Sequence, residues 1–148
     1  KVVERGNLAL MPIDTSLYQS IAFSRGDFSR EAARAVERRL EDPALRDKTV
    51  LIVVHHPPLT RASNAVWTWI DALRGGKQLV DLLMTHPRAQ LLHGHLHRVV
   101  DRIVGLGRNA RARMFGASAT VDDLDDMPRV RIYDVRDGWL ESAGLYAL

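Results

Sequence analysis

The stretch Thr49-Val50-Leu51-Ile52-Val53-Val54 is unbroken, apolar and mostly β-branched, and it ends abruptly in His55-His56-Pro57-Pro58. An apolar run without polar alternation is the pattern of a strand buried on both faces. Two consecutive prolines supply no ladder donors and fix φ, so pairing cannot continue past them. A strand covered on both sides requires layers above and below it. That restricts the chain to a layered α/β architecture and makes the strand's C-terminal end an abrupt loop, where side chains of parallel sheets gather around ligands.

The flanking segments fit such layers. Residues 8–14 are short and mostly apolar and read as a strand, which Pro12 marks as an edge or irregular one. Ser29 is a candidate N-cap, with Glu31 in the first turn. Ala32, Val36 and Leu40 then recur at helical spacing until Pro43. Residues 65–73 read as a short helix broken at Gly75-Gly76, and residues 77–86 as a second helix stopped by Pro87. Residues 89–93 form another strand, ending at Gly94. Strand-like segments follow at 98–104, 111–117, 130–135 and 139–146, the last two joined by the hairpin signal Asp137-Gly138. The expectation is a single α/β domain over residues 1–148, with parallel strands first and antiparallel strands after. The βα units are too few for a complete doubly wound fold.

Composition narrows the chemistry. With no cysteine, thiolate metal sites, disulfides and cysteine nucleophiles are all excluded. The net charge is +3, but the basic residues are scattered without interleaved aromatics, so nucleic acid is not expected as a primary partner. No apolar run approaches the ~18 residues of a membrane span, and no signal-peptide pattern is visible, so a cytoplasmic protein is expected. The chain opens on Lys1 rather than methionine, and its natural start is expected further upstream.

Four of the six histidines close apolar strands: His55 and His56 after one, His95 and His97 after the other. Side chains two apart on an extended segment face the same side. The pair in Gly94-His95-Leu96-His97 can therefore serve one ion, or one ion each of a close pair. His86, at a helix end, and His93, within a strand, are expected to be structural. Trp67 and Trp69 are expected to pack a helix, and the acidic run 122–126 to be a solvated loop. Arg61 and Asn64 sit in the loop that must overhang His55.

The element Val-Val-His55-His56-Pro57-Pro58, followed later by Leu91-Leu92-His93-Gly94-His95-Leu96-His97, resembles the calcineurin-like metallophosphoesterases, and more closely their bacterial cyclic-nucleotide-phosphodiesterase-like branch. Residues 8–16, Gly26-Asp27-Phe28-Ser29 and residues 111–120 are similar to further parts of that domain. The family's upstream D-x-H, G-D-x-x-D and G-N-H motifs have no counterpart here. The resemblance therefore implies the C-terminal portion of a four-layer α/β/β/α sandwich with mixed sheets, its N-terminal half absent.

It also implies a hydrolase acting on a phosphodiester or phosphomonoester through two divalent or trivalent metal ions (manganese, iron, zinc or cobalt). His55 and His95 would bind one ion and His97 its neighbour, while His56 would be a catalytic-pocket residue beside them. The partners implied are a small phosphoester substrate, the missing half of the domain and, to cover an exposed sheet face, a second copy in a homodimer. The isolated chain is expected to be weakly active or inactive. Two other readings stand beside this one: a mononuclear three-histidine zinc hydrolase built from His55, His95 and His97, and a non-catalytic structural or interaction fragment.

Overall fold

The computed structural model describes residues 1–17, 24–59, 73–96, 99–104, 112–117 and 129–147. Its elements in chain order are β1 (Val3–Arg5), β2 (Leu8–Pro12), α1 (Arg30–Leu40), a 3-10 turn (Pro43–Leu45), β3 (Thr49–Val54), α2 (Gly76–Thr85), β4 (Ala89–His93), β5 (Val100–Val104), β6 (Ala112–Gly116), β7 (Arg129–Arg136) and β8 (Trp139–Ala147). The fold is α/β. One mixed six-stranded sheet has the order β1-β2-β3-β4-β6-β5, and β7 and β8 form a separate antiparallel pair. No helix among the described residues is long and apolar enough to cross a membrane.

Strands β2, β3, β4 and β6 run parallel, and β1 and β5 close the two edges antiparallel. Strand order β2-β3-β4 advances in one direction. With crossovers of one hand, both connecting helices must then lie on the same face. Accordingly, Val36 of α1 and Leu79, Val80 and Leu83 of α2 share one apolar core with Ala9, Val50, Ile52, Val54, Ala89, Leu91 and Met114 of the sheet. Helix α1 starts where Ser29 accepts a hydrogen bond from the Ala32 backbone N–H at 3.1 Å, the cap read from the sequence.

Pro12 does not put β2 at an edge: β2 is an inner strand between β1 and β3. The reason is local. The Ile13 N–H donates to Val53 O at 2.9 Å, so the N position of Pro12, one residue earlier, faces the β1 side. β1 pairs only as far as Leu10, and the missing donor therefore has no ladder to interrupt.

The opposite face of the sheet carries the β7–β8 hairpin. Asp137 (φ 50°) and Gly138 (φ 84°) both take left-handed backbone in its turn, the conformation a two-residue hairpin favours. Gln90, fully buried in β4, makes the attachment: its amide donates to Gly138 O at 3.0 Å, and its Oε1 accepts from the Leu140 N–H at 2.9 Å. Phe115 meets Tyr133 edge to face, and the Arg113 guanidinium lies 4.2 Å over the Trp139 ring. Replacing Gln90 by leucine leaves a buried carbonyl and a buried N–H unpaired, at roughly 2–4 kcal/mol for the two groups. Chemical denaturation is expected to show that loss, with amide exchange accelerated in β8 more than in β3. Uniform exchange in both strands would contradict the attachment role.

Candidate metal centre

Parallel strands deliver their C-terminal ends to one rim, and the registers set which residues meet there. Val54 is level with His93, and the ladder runs one step beyond the strands, with the Gly94 N–H donating to His55 O at 3.1 Å. On the other side Pro12 is level with Val53; continuing that register sets Thr15 level with His56.

Three imidazoles converge at this rim. One ring nitrogen from each of His55, His56 and His95 lies within 4.8 Å of the others. Ring centroids are 4.8 Å apart for His55 and His56, 5.1 Å for His55 and His95, and 4.9 Å for His56 and His95. Nδ1 of His95 is 3.2 Å from Nε2 of His55. Two nitrogens on a tetrahedral ion at Zn–N distances of 2.0–2.1 Å would be about 3.3 Å apart, so this pair already has the spacing of ligands sharing an ion. His95 reaches that position with φ 66°, a left-handed backbone uncommon outside glycine, although histidine visits it more often than most side chains. Such local strain recurs where geometry serves a site.

His56 is held differently. Its ring is buried, at 7% exposure, and Nδ1 is 2.8 Å from Oγ1 of the buried Thr15. Gly26 packs against the same ring: a Cβ on Gly26 would fall 2.4 Å from Nδ1 of His56, so only glycine admits the histidine there. Burial, reinforced by the neighbouring His95 and His55, pushes the His56 pKa down to about 4, against the pull of a hydrogen bond with the Ser24 backbone. The ring is therefore neutral at physiological pH, the state in which an imidazole can coordinate.

The two other described histidines, His93 and His86, bond to neighbouring backbone. His93 is buried, hydrogen-bonds Gly94 O through Nδ1 at 3.1 Å, and has its pKa lowered, chiefly by burial. His86 is the C-cap residue of α2, its ring Nδ1 2.9 Å from Leu82 O.

Compared with known proteins, the chain matches no family model and no curated protein. The chemistry must be read from the donors themselves. Three imidazole nitrogens suit zinc, iron or cobalt better than magnesium, calcium or manganese, which favour oxygen donors. Among the described residues the group contains no carboxylate. Asp14, on the same rim at the end of β2, instead bonds Ser16: the Ser16 hydroxyl, and after it the Ser16 N–H at 2.8 Å, hold its carboxyl below the usual range.

Of the residues expected from sequence, His55 and His95 come together, and His56 joins them as a potential third donor rather than standing aside. His97 lies outside the described residues, as do Arg61, Asn64, Trp67, Trp69, the helix expected over 65–73 and the acidic run 122–126. Thr15 and Gly26 entered the sequence reading only as parts of segments that resemble the family domain; their contact with His56 was not expected, because nothing local marks a threonine or glycine as the neighbour of a remote histidine.

Proposed function

We propose that the chain contributes the histidine side of a metal site for phosphoester hydrolysis. The observation that supports this most is the convergence of His55, His56 and His95 at the C-terminal ends of two adjacent parallel strands. The resemblance of their sequence context to calcineurin-like phosphoesterases points the same way. In this reading His55 and His95 hold one ion through the nitrogens now 3.2 Å apart, and His97 contributes to a second. Bound metal would supply Lewis acidity toward a phosphoryl oxygen and lower the pKa of attacking water. His56, neutral and buried, walls the pocket and presents an imidazole to the same space.

Two adjacent cations repel one another, and imidazoles bring no compensating charge. A pair of ions therefore needs bridging carboxylates, which the described cluster lacks. In the same proposal those carboxylates come from another segment of a four-layer sandwich, of which the helices, the six-stranded sheet and the hairpin are the part described. The hairpin's outer side leaves Ile132 and Tyr146 exposed, surface that the completing segment or a second copy would cover.

Loaded with Mn2+ or Zn2+, this chain alone is expected to hydrolyse bis-p-nitrophenyl phosphate well below the ~1–1000 s⁻¹ typical of enzymes. The residual rate should vanish in chelator and in His95→Ala. A slow rate indifferent to both, or turnover at full enzymatic rate, would contradict the proposal. The all-imidazole donor set also favours a second reading, a mononuclear zinc hydrolase with one open position. One tightly held zinc together with full turnover would select it, and no metal at all would select a non-catalytic module.

A further inference from the structure

We propose that Thr15 is a positioning residue whose buried hydroxyl, acting with the Ser24 backbone, fixes the rotamer and tautomer of His56, and so decides which edge of that imidazole faces His55 and His95. The inference rests on the metal reading above for its purpose, but its structural content stands apart from it.

Three observations carry it. Thr15 is only 2% exposed, and its side-chain oxygen lies 2.8 Å from Nδ1 of His56 across 41 residues of sequence. The Thr15 backbone is itself pinned, because Thr15 O accepts the Asp27 N–H at 3.0 Å. Gly26, adjacent to Asp27, packs against the same Nδ1 edge of the ring. The hydroxyl is thus held by backbone hydrogen bonding and presented to one ring nitrogen, while the ring cannot rotate away through Gly26. A hydroxyl can donate to or accept from Nδ1, so it defines the tautomer in concert with the hydrogen bond between the ring and the Ser24 backbone; such pairs of partners are how metal-binding histidines are oriented. A threonine chosen for packing alone would not need its hydroxyl aimed at an imidazole, since valine has the same shape.

The test is 15N spectroscopy of the imidazoles in metal-free protein, combined with Co2+ titration, for the wild type, Thr15→Val and Thr15→Ser. In the wild type, His56 is expected in one tautomer, with widely separated nitrogen shifts. Thr15→Val should bring the two shifts toward their average and weaken Co2+ binding by roughly 10–100-fold. Thr15→Ser should restore the wild-type shifts and bring affinity to within about 3-fold of wild type.

Averaged His56 shifts in the wild type would overturn the inference without any variant. So would a folded Thr15→Val with unchanged shifts, or a Thr15→Ser that behaves like Thr15→Val. If Thr15→Val does not fold, the wild-type and Thr15→Ser spectra still decide. Failure of the wild type to bind Co2+ would remove the metal reading while leaving the imidazole shifts to judge Thr15.

Discussion

Replacing His95 by glycine is expected to weaken Co2+ or Zn2+ binding by about 100-fold or more while leaving the metal-free protein at least as stable. A structural zinc site is worth roughly 10–16 kcal/mol over four ligands, so each accounts for about 3 kcal/mol, or about a hundredfold in affinity. The stability half of the prediction comes from the backbone. His95 sits at φ 66°, where a side chain costs roughly 1–2 kcal/mol that glycine does not incur. Its contact with His55 Nε2 is a partly exposed hydrogen bond worth only about 0.5–1 kcal/mol. The two changes should leave a net effect between about zero and a gain of about 1.5 kcal/mol. His86→Ala, at the C-cap of α2, should leave metal affinity unchanged. Isothermal titration and urea unfolding check both halves. A His95→Gly variant that binds metal normally, or that loses stability, would show that the strained histidine is not kept for ligation.

The metal-free protein should lose stability steeply as pH falls from about 6.5 toward 4. His56 has a folded-state pKa near 4 against 6.5 for an unperturbed imidazole, mainly because it is buried. In that interval the unfolded chain carries a proton that the folded chain does not, so stability rises with pH across it and is fully present above 6.5. At about 1.4 kcal/mol per pKa unit the interval from 6.5 to about 4 corresponds to roughly 3.5 kcal/mol, which solvent screening at the open rim reduces to about 2–3. His93, lowered in the same direction by burial, steepens the same window. Asp27, whose carboxyl Arg74 holds below its usual range, acts only at lower pH, as its stabilising charge is lost when it protonates. Urea midpoints measured in chelator from pH 8 to 4.5 test this. A flat profile down to pH 5 would contradict the burial of neutral imidazoles, and His56→Gln should flatten the wild-type slope.

The parts of the fold legible in sequence were those with local causes. β3 announces itself through six consecutive apolar or β-branched residues ended by two prolines, α1 through Ser29 and the Ala32-Val36-Leu40 stripe, and the β7–β8 turn through Asp137-Gly138. What was not legible depends on remote partners. β1 is three exposed residues, Val3–Arg5, with no alternation to detect. Its presence is nonetheless what makes β2 an inner strand despite Pro12. That β6 rather than β5 lies against β4 follows from sheet packing, which no local pattern encodes. The site divides in the same way. His55 and His95 were visible as strand-end histidines, but the convergence of His56 with them depends on Thr15 and Gly26, brought in by the β2–β3 register.

The most direct test of the central claim is X-ray absorption at the zinc edge on the wild-type chain loaded with one equivalent of Zn2+. The account predicts the multiple-scattering pattern of imidazole, with two or three histidine nitrogens at about 2.0–2.1 Å, and the loss of one imidazole's scattering in His55→Ala. Oxygen-only coordination, or a spectrum unaltered by His55→Ala, would contradict it.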